Sequence, residues 1–170
     1  MSCLARYTRL SGLIAAMSMS SAFAYAAEEE AASHVPPTLE NSPFASEREA
    51  VSWRQDELKD LERLLRQLRF DLVNNRDARG AAPRLVELQQ LATSEYFLPA
   101  FIEGTDGRGS DARPEIWEEW GDFAAGFQDL EQKVSVLVEA AEQEDYRAAT
   151  RAFSDVSLSC RSCHRAYRYK

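Results

Sequence analysis

VSWRQDELKDLERLLRQLRFDL, from Val51 to Leu72, decides the fold class. Val51, Arg54, Leu58, Leu61, Leu65, Leu68 and Leu72 step by three and four without a break, the inward stripe of an amphipathic helix. Two later segments repeat that spacing. Ile116, Trp120, Phe123, Phe127, Leu130, Val134, Leu137 and Ala141 predict one helix, with Pro114 in its first turn and Asp111 as its cap. Tyr146, Ala149, Phe153, Val156, Cys160, Cys163 and Tyr167 predict another, starting after Asp145. A shorter helix is expected from about Pro83 to Glu95, burying Leu85, Leu88 and Ala92. Strand-like alternation is absent. Two short connections and one longer loop then give an all-α fold, an antiparallel up-down-up-down four-helix bundle over residues 47–170.

The longer loop, Pro99 to Pro114, is rich in glycine. No Lys-Ser/Thr follows its glycines, so they read as turn formers and not as a phosphate cradle.

Upstream of the bundle the composition changes twice. Residues 1–26 carry Arg6 and Arg9, a weakly apolar stretch from Leu10 to Ala24 and a small-x-small site at Ala24-Tyr25-Ala26. That pattern predicts a secretory signal peptide, too short and polar for a membrane anchor. Residues 27–46 are acidic, hold Pro36, Pro37 and Pro43, and read as a flexible leader. His34 lies in it as a solvated residue.

Cleavage after Ala26 removes Arg6 and Arg9 but no acid, taking the net charge from −8 to −10. Such a balance argues against nucleic acid and anionic membranes as partners. It also removes Cys3 and the methionines Met1, Met17 and Met19, leaving Cys160 and Cys163 and no methionine.

Those two cysteines open the run CRSCHRAYRYK, Cys160 to Lys170. Both fall on the inward stripe of the last helix, one turn apart, with His164 beside them. Cys-x-x-Cys-His is the c-type haem attachment spacing: two thiols take the vinyl groups as thioethers and the histidine becomes an axial ligand of the iron. Other uses fit less well. A thioredoxin-like pair wants a βαβ setting and a helix N-terminus. A zinc site wants four ligands, and only His34 could complete the set. A disulfide would close a very small loop, stabilise little and leave His164 unexplained.

Arg54 is the wrong residue for a core unless something pairs with it. Arg54 and Gln55 could receive a haem propionate through charge-assisted hydrogen bonds, or Arg54 could snorkel from the bundle end. Leu58, the next inward residue, would face the haem. Opposite His164 the ligands run out: no methionine survives, His34 is in the leader, Lys59 points off the stripe, and Lys133 and Lys170 have no reason to approach. The expected iron is therefore five-coordinate, with an apolar open side that disfavours O₂ relative to NO and CO.

Over residues 47–170 the chain resembles the cytochrome c′ family. The resemblance rests on Trp53-Arg54-Gln55 with Leu58 following, on GTDGRGSDARPEIW (Gly104 to Trp117), and on CRSCHRAYR at the end. It implies a periplasmic class II c-type cytochrome enclosing one covalently attached, high-spin haem c. By the same resemblance Cys160 and Cys163 are the thioether cysteines and His164 is the iron ligand. Leu58 is the distal gatekeeper, Arg54 and Gln55 are the propionate-side pair, and Arg168 stands near the proximal face. The resemblance further implies binding of NO and CO, a part in NO tolerance, and a homodimer through helices 1 and 2. The leader is longer than the family's usual one, and Trp53 and Trp120 depart from the commoner residues there.

Two functions of different class follow: a gas-binding module, or a dedicated electron carrier among periplasmic redox partners. A peroxidase-like enzyme would need a distal His or Arg pair, which the sequence does not offer, so the protein is read as a non-enzyme.

Overall fold

The structure is a computed structural model that describes residues 35–107 and 109–170. The expected signal segment, residues 27–34 of the leader with His34, and all three methionines lie outside the described residues.

Four long helices carry the fold: α1 (Glu47–Arg69), α2 (Ala78–Leu91), α3 (Trp120–Glu142) and α4 (Tyr146–Tyr167). The starts of α1, α2 and α4 are explained by side-chain caps. The Ser46 hydroxyl accepts from the Glu49 N–H at 3.2 Å, Asp77 from the Gly80 N–H at 2.8 Å, and Asp145 from the Arg147 and Ala148 N–H groups at 3.0 Å. Among the described residues there is no strand, only an isolated antiparallel bridge between Ala112 and Arg168.

Along α1, Leu61, Leu64, Leu68 and then Leu72 are buried. They meet Leu85 and Leu88 of α2, Phe123, Phe127, Val134 and Leu137 of α3, and Ala149, Phe153 and Val156 of α4 in one core. At the upper end that core is aromatic. Phe97 stacks on Phe127 at 5.6 Å between ring centroids, and Phe123 contacts Phe101, Phe127 and Tyr167 at 4.8–5.4 Å.

Four local expectations need correcting. The second helix begins at Ala78, not near Pro83, which sits inside it. Proline forfeits one hydrogen bond there, but Asp77 supplies a strong N-cap upstream. The same helix ends at Leu91, and Thr93 caps a separate turn, Ser94–Phe97, through the Tyr96 N–H. The third helix is broken: one turn at Glu115–Glu118 is followed by a kink at Glu119 (φ −117°, ψ 37°) before α3. Asp111 caps neither; it is engaged by the last residues of the chain, as described below. Tyr146 stays out of the core, with the Arg76 guanidinium over its ring at 5.5 Å.

The second half of the segment expected to be a flexible leader is docked. The Glu103 N–H donates to the Pro37 carbonyl at 2.9 Å, Leu39–Asn41 forms a 3₁₀ turn, and the Phe44 ring lies 5.4 Å from that of Trp53. Composition read those prolines as disorder; an aromatic anchor outweighs it.

Between α1 and α2 the chain runs through a π-helical segment, Phe70–Asn75, that ends at Arg76 with φ 57°. Asp71 is buried within it and takes the Arg84 guanidinium at 2.6 and 2.7 Å, a charged clasp joining the first two helices.

A haem-type cavity between the first and last helices

A cavity of about 280 Å³ opens between α1 and the last turns of α4. Its walls are apolar: Leu58 from α1, Phe101 and Ile116 from the connection, and Phe123 and Phe127 from α3. Cys163, His164, Tyr167 and Arg168 line it from α4 and the residue that follows. Arg54, Gln55, Lys59 and Glu62 line it from α1. Six of the seven residues singled out in the sequence thus meet around one space. Cys160 lies one turn before Cys163, half-buried, its Sγ 3.5 Å from the Val156 carbonyl that it faces.

The cysteines are both free thiols. Burial pushes both above the ordinary thiol range, Cys163 to about 11 with Cys160 adding to the effect. A redox-active pair needs the opposite shift, since the thiolate is the nucleophile. Among the described residues no group of three or more His, Cys, Asp or Glu side chains converges to hold a metal ion. His164 stands at the cavity mouth, held below the usual imidazole range by partial burial and then by the Arg168 cation, with Glu62 pulling the other way. At neutral pH the ring is uncharged, which ligation requires.

Arg54 is only 2 % exposed. Its Nη1 donates to the Ala100 carbonyl at 3.0 Å and to Thr105 Oγ1 at 2.7 Å. Its Nη2 donates to the Thr105 carbonyl at 2.7 Å and to Ser110 Oγ at 2.8 Å. The Phe101 ring lies beneath at 4.9 Å. All four acceptors are neutral, so a buried charge is solvated but not neutralised. Burial draws its pKa down to about 10, with Asp106 opposing; it remains a cation at pH 7. The sequence alternative of snorkelling is excluded, because the head group is inside.

The connection that receives Arg54 also holds the far end of the chain. Gln55 Nε2 donates to the Gly109 carbonyl at 2.8 Å. Arg168 pairs with Asp111 at 3.0 Å, the Tyr169 N–H donates to the Asp111 carbonyl at 2.8 Å, and the Arg113 N–H donates to the Tyr167 carbonyl at 3.0 Å. One loop therefore grips α1 on one side and the end of α4 on the other.

Replacing Arg54 by Ala removes four hydrogen bonds and leaves three buried acceptors, Ala100 O, Thr105 Oγ1 and Thr105 O, short of a donor. The expected loss is about 3 kcal/mol of unfolding free energy, read as a lower urea midpoint. A midpoint unchanged from the parent protein would mean the loop does not depend on Arg54.

Several lining residues were missed, among them Phe101, Ser110 and Ala112 of the connection and Lys59 and Glu62 of α1. Lys59 reaches the cavity rim although its place in the stripe points it aside, and its Nζ is held by Asp56 at 2.9 Å. Glu62 lines the same rim, paired with Arg66. The signal was present: Gln55, Lys59 and Glu62 step by four and three, a polar stripe beside the apolar one.

The donor set fits a covalently held haem c. It offers two protonated thiols one turn apart, a neutral imidazole, apolar walls and a buried cation whose hydrogen-bond acceptors are all neutral. The class is thus a c-type haem protein built on a helical bundle.

The comparisons with known proteins agree. The Cytochrome C′ family model matches residues 49–168, and the chain belongs to the cytochrome c′ family, whose members carry covalently attached haem c. It is 35 % identical over 131 residues to the cytochrome c′ of Alcaligenes xylosoxydans xylosoxydans, covering 75 % of this chain and 98 % of the relative. Among solved structures it is similar to a nitrosyl complex of a cytochrome c prime variant from Alcaligenes xylosoxidans. That match has a TM-score of 0.66 and 32 % identity, covering 74 % of this chain and 99 % of the other. A carbon-monoxide-bound variant of the same protein matches with TM-score 0.66 and 32 % identity, covering 75 % and 99 %. Those structures share the four-helix bundle.

Proposed function

We propose that this protein binds NO and CO at a five-coordinate haem iron in the periplasm and serves NO scavenging or tolerance, with one-electron transfer as a second capacity. The observation that carries this reading is that Leu58 on α1 and His164 on α4 line one and the same cavity. When bound there, haem supplies an iron able to take a small ligand. This chain's residues do the rest. Cys160 and Cys163 would tether it, His164 would ligate its iron, and Leu58 would present to an entering ligand a wall with no hydrogen-bond donor. NO and CO need no such donor, whereas bound O₂ gains from one. Arg54 and Gln55 would face a propionate, whose charge would add to that of Asp106 in offsetting the buried guanidinium. Arg168 is the proximal-side residue. The relatives' nitrosyl and carbon-monoxide complexes support this reading.

The test is the optical spectrum of the reduced, exported protein before and after adding NO or CO. A broad high-spin Soret band that sharpens and shifts supports the proposal. A low-spin spectrum indifferent to CO overturns it and favours the dedicated electron carrier, with His34 or Lys59 as sixth ligand.

A second measurement addresses Leu58. Leu58→Ala shortens the wall and is expected to accelerate CO association by about tenfold, the scale of a 1.4 kcal/mol lower barrier. Stopped-flow rates equal to the parent's would remove Leu58 from the ligand's path.

A further inference from the structure

The outer face of α4 carries a pattern that the haem site does not explain. Arg147, Arg151, Ser154, Leu158, Arg161 and Arg165 step by four and three along it, and all are exposed. The stripe is about 27 Å long at 1.5 Å per residue. No described carboxylate forms an ion pair with any of its four arginines. From residue 146 to the end the chain has one acid, Asp155, on the flank of the stripe. Yet the whole chain has 28 acidic residues against 20 basic ones. The outer face of α4 is thus a local basic ridge on an acidic chain.

That ridge has a definite position. Arg161 directly follows Cys160 and Arg165 directly follows His164, so its positive end borders the haem-attaching turn. Charges within about 10 Å govern an encounter at ordinary salt, so an approaching molecule senses this ridge and not the net charge.

We infer that the outer face of α4 is the docking surface for an acidic redox protein, which exchanges one electron with the haem across the Cys160–Arg165 turn. The inference rests on the functional reading above, because the partner is redox-active only if haem is attached. Arginines suit such a partner, since each can take a carboxylate bidentately. An anionic membrane is the poorer occupant. A helix that lies on a bilayer buries an apolar face in it, and here Ala149, Ala152, Phe153 and Val156 are already spent on the core. Leu158 alone is apolar on the exposed stripe.

The experiment uses the haem-loaded protein and a short polyglutamate peptide as probe, with binding followed by amide chemical shifts. Shifts confined to α4 between Arg147 and Arg165 and weakened by salt are expected. Arg161→Glu with Arg165→Glu should lower affinity about tenfold, whereas Arg63→Glu with Arg69→Glu, the same charge change on α1, should lower it less than twofold. Equal losses from the two pairs would overturn the proposal, as would tighter binding to phosphatidylcholine–phosphatidylglycerol vesicles than to the peptide.

Electron transfer supplies an independent readout. Ferrous protein gives one electron to hexacyanoferrate(III) or to tris(phenanthroline)cobalt(III), with no proton moving. Despite the negative net charge, the anionic oxidant should react more slowly as salt rises and the cationic one faster. The reverse pattern overturns the docking face. A purified protein whose mass lacks haem overturns the functional reading and the redox partner together. Intact haem with unmoved α4 amides overturns the docking face alone.

Discussion

Cys160→Ser with Cys163→Ser yields a protein whose mass is that of the polypeptide alone, with no haem surviving denaturation. The two thiols stand one helical turn apart at half-buried positions and are not joined to each other. A thioether is their only covalent hold on a porphyrin, and serine cannot form one. The helix should persist: Cys160 and Cys163 lie beyond the buried run Ala149, Ala152, Phe153 and Val156, so the substitution removes little core. Far-ultraviolet circular dichroism of the variant apoprotein should therefore match that of unloaded parent chain. Retained covalent haem would refute the assignment of both cysteines.

His164→Ala should produce the second large effect, on the spectrum and not on attachment. The imidazole is the one nitrogen ligand that α4 brings to the cavity, and it is uncharged at neutral pH because partial burial and Arg168 both disfavour its cation. Without it the thioethers should remain, but the iron would lose the nitrogen ligand proposed for it. The high-spin bands should move, and added imidazole should restore them by entering the space left behind. Rescue of that kind separates ligation from a structural role. A spectrum identical to the parent's would mean another group holds the iron.

The bundle was legible because its information is periodic. From Leu61 to Leu72 and from Phe123 to Ala141 a single face repeats often enough that no other element can bury it. Boundaries were less legible, since they turn on single contests such as the Asp77 cap against Pro83. Leader docking was illegible for a similar reason: Phe44 finds Trp53 only after α1 has formed. At the site, the spacing of Cys160, Cys163 and His164 was legible as a haem-attachment pattern, and the structure brings Cys163 and His164 to the cavity. Arg54 was recognisable as misplaced, but its acceptors were not. Thr105 and Ser110 lie more than fifty residues away in a loop that composition marks only as turns.

That loop has a meaning beyond holding Arg54. It clasps α1 through Arg54 and Gln55 and clasps the end of α4 through Asp111 and Arg113. It is therefore a spacer bar that sets how far apart the two sides of the cavity stand, while the leucine and phenylalanine core sets only that they belong together. Substitution of its exposed Asp111 should retune the width of the cavity, and with it which ligands enter, whereas the buried Ile102, Thr105 and Ala112 of the same loop belong to the packing that keeps the bundle folded.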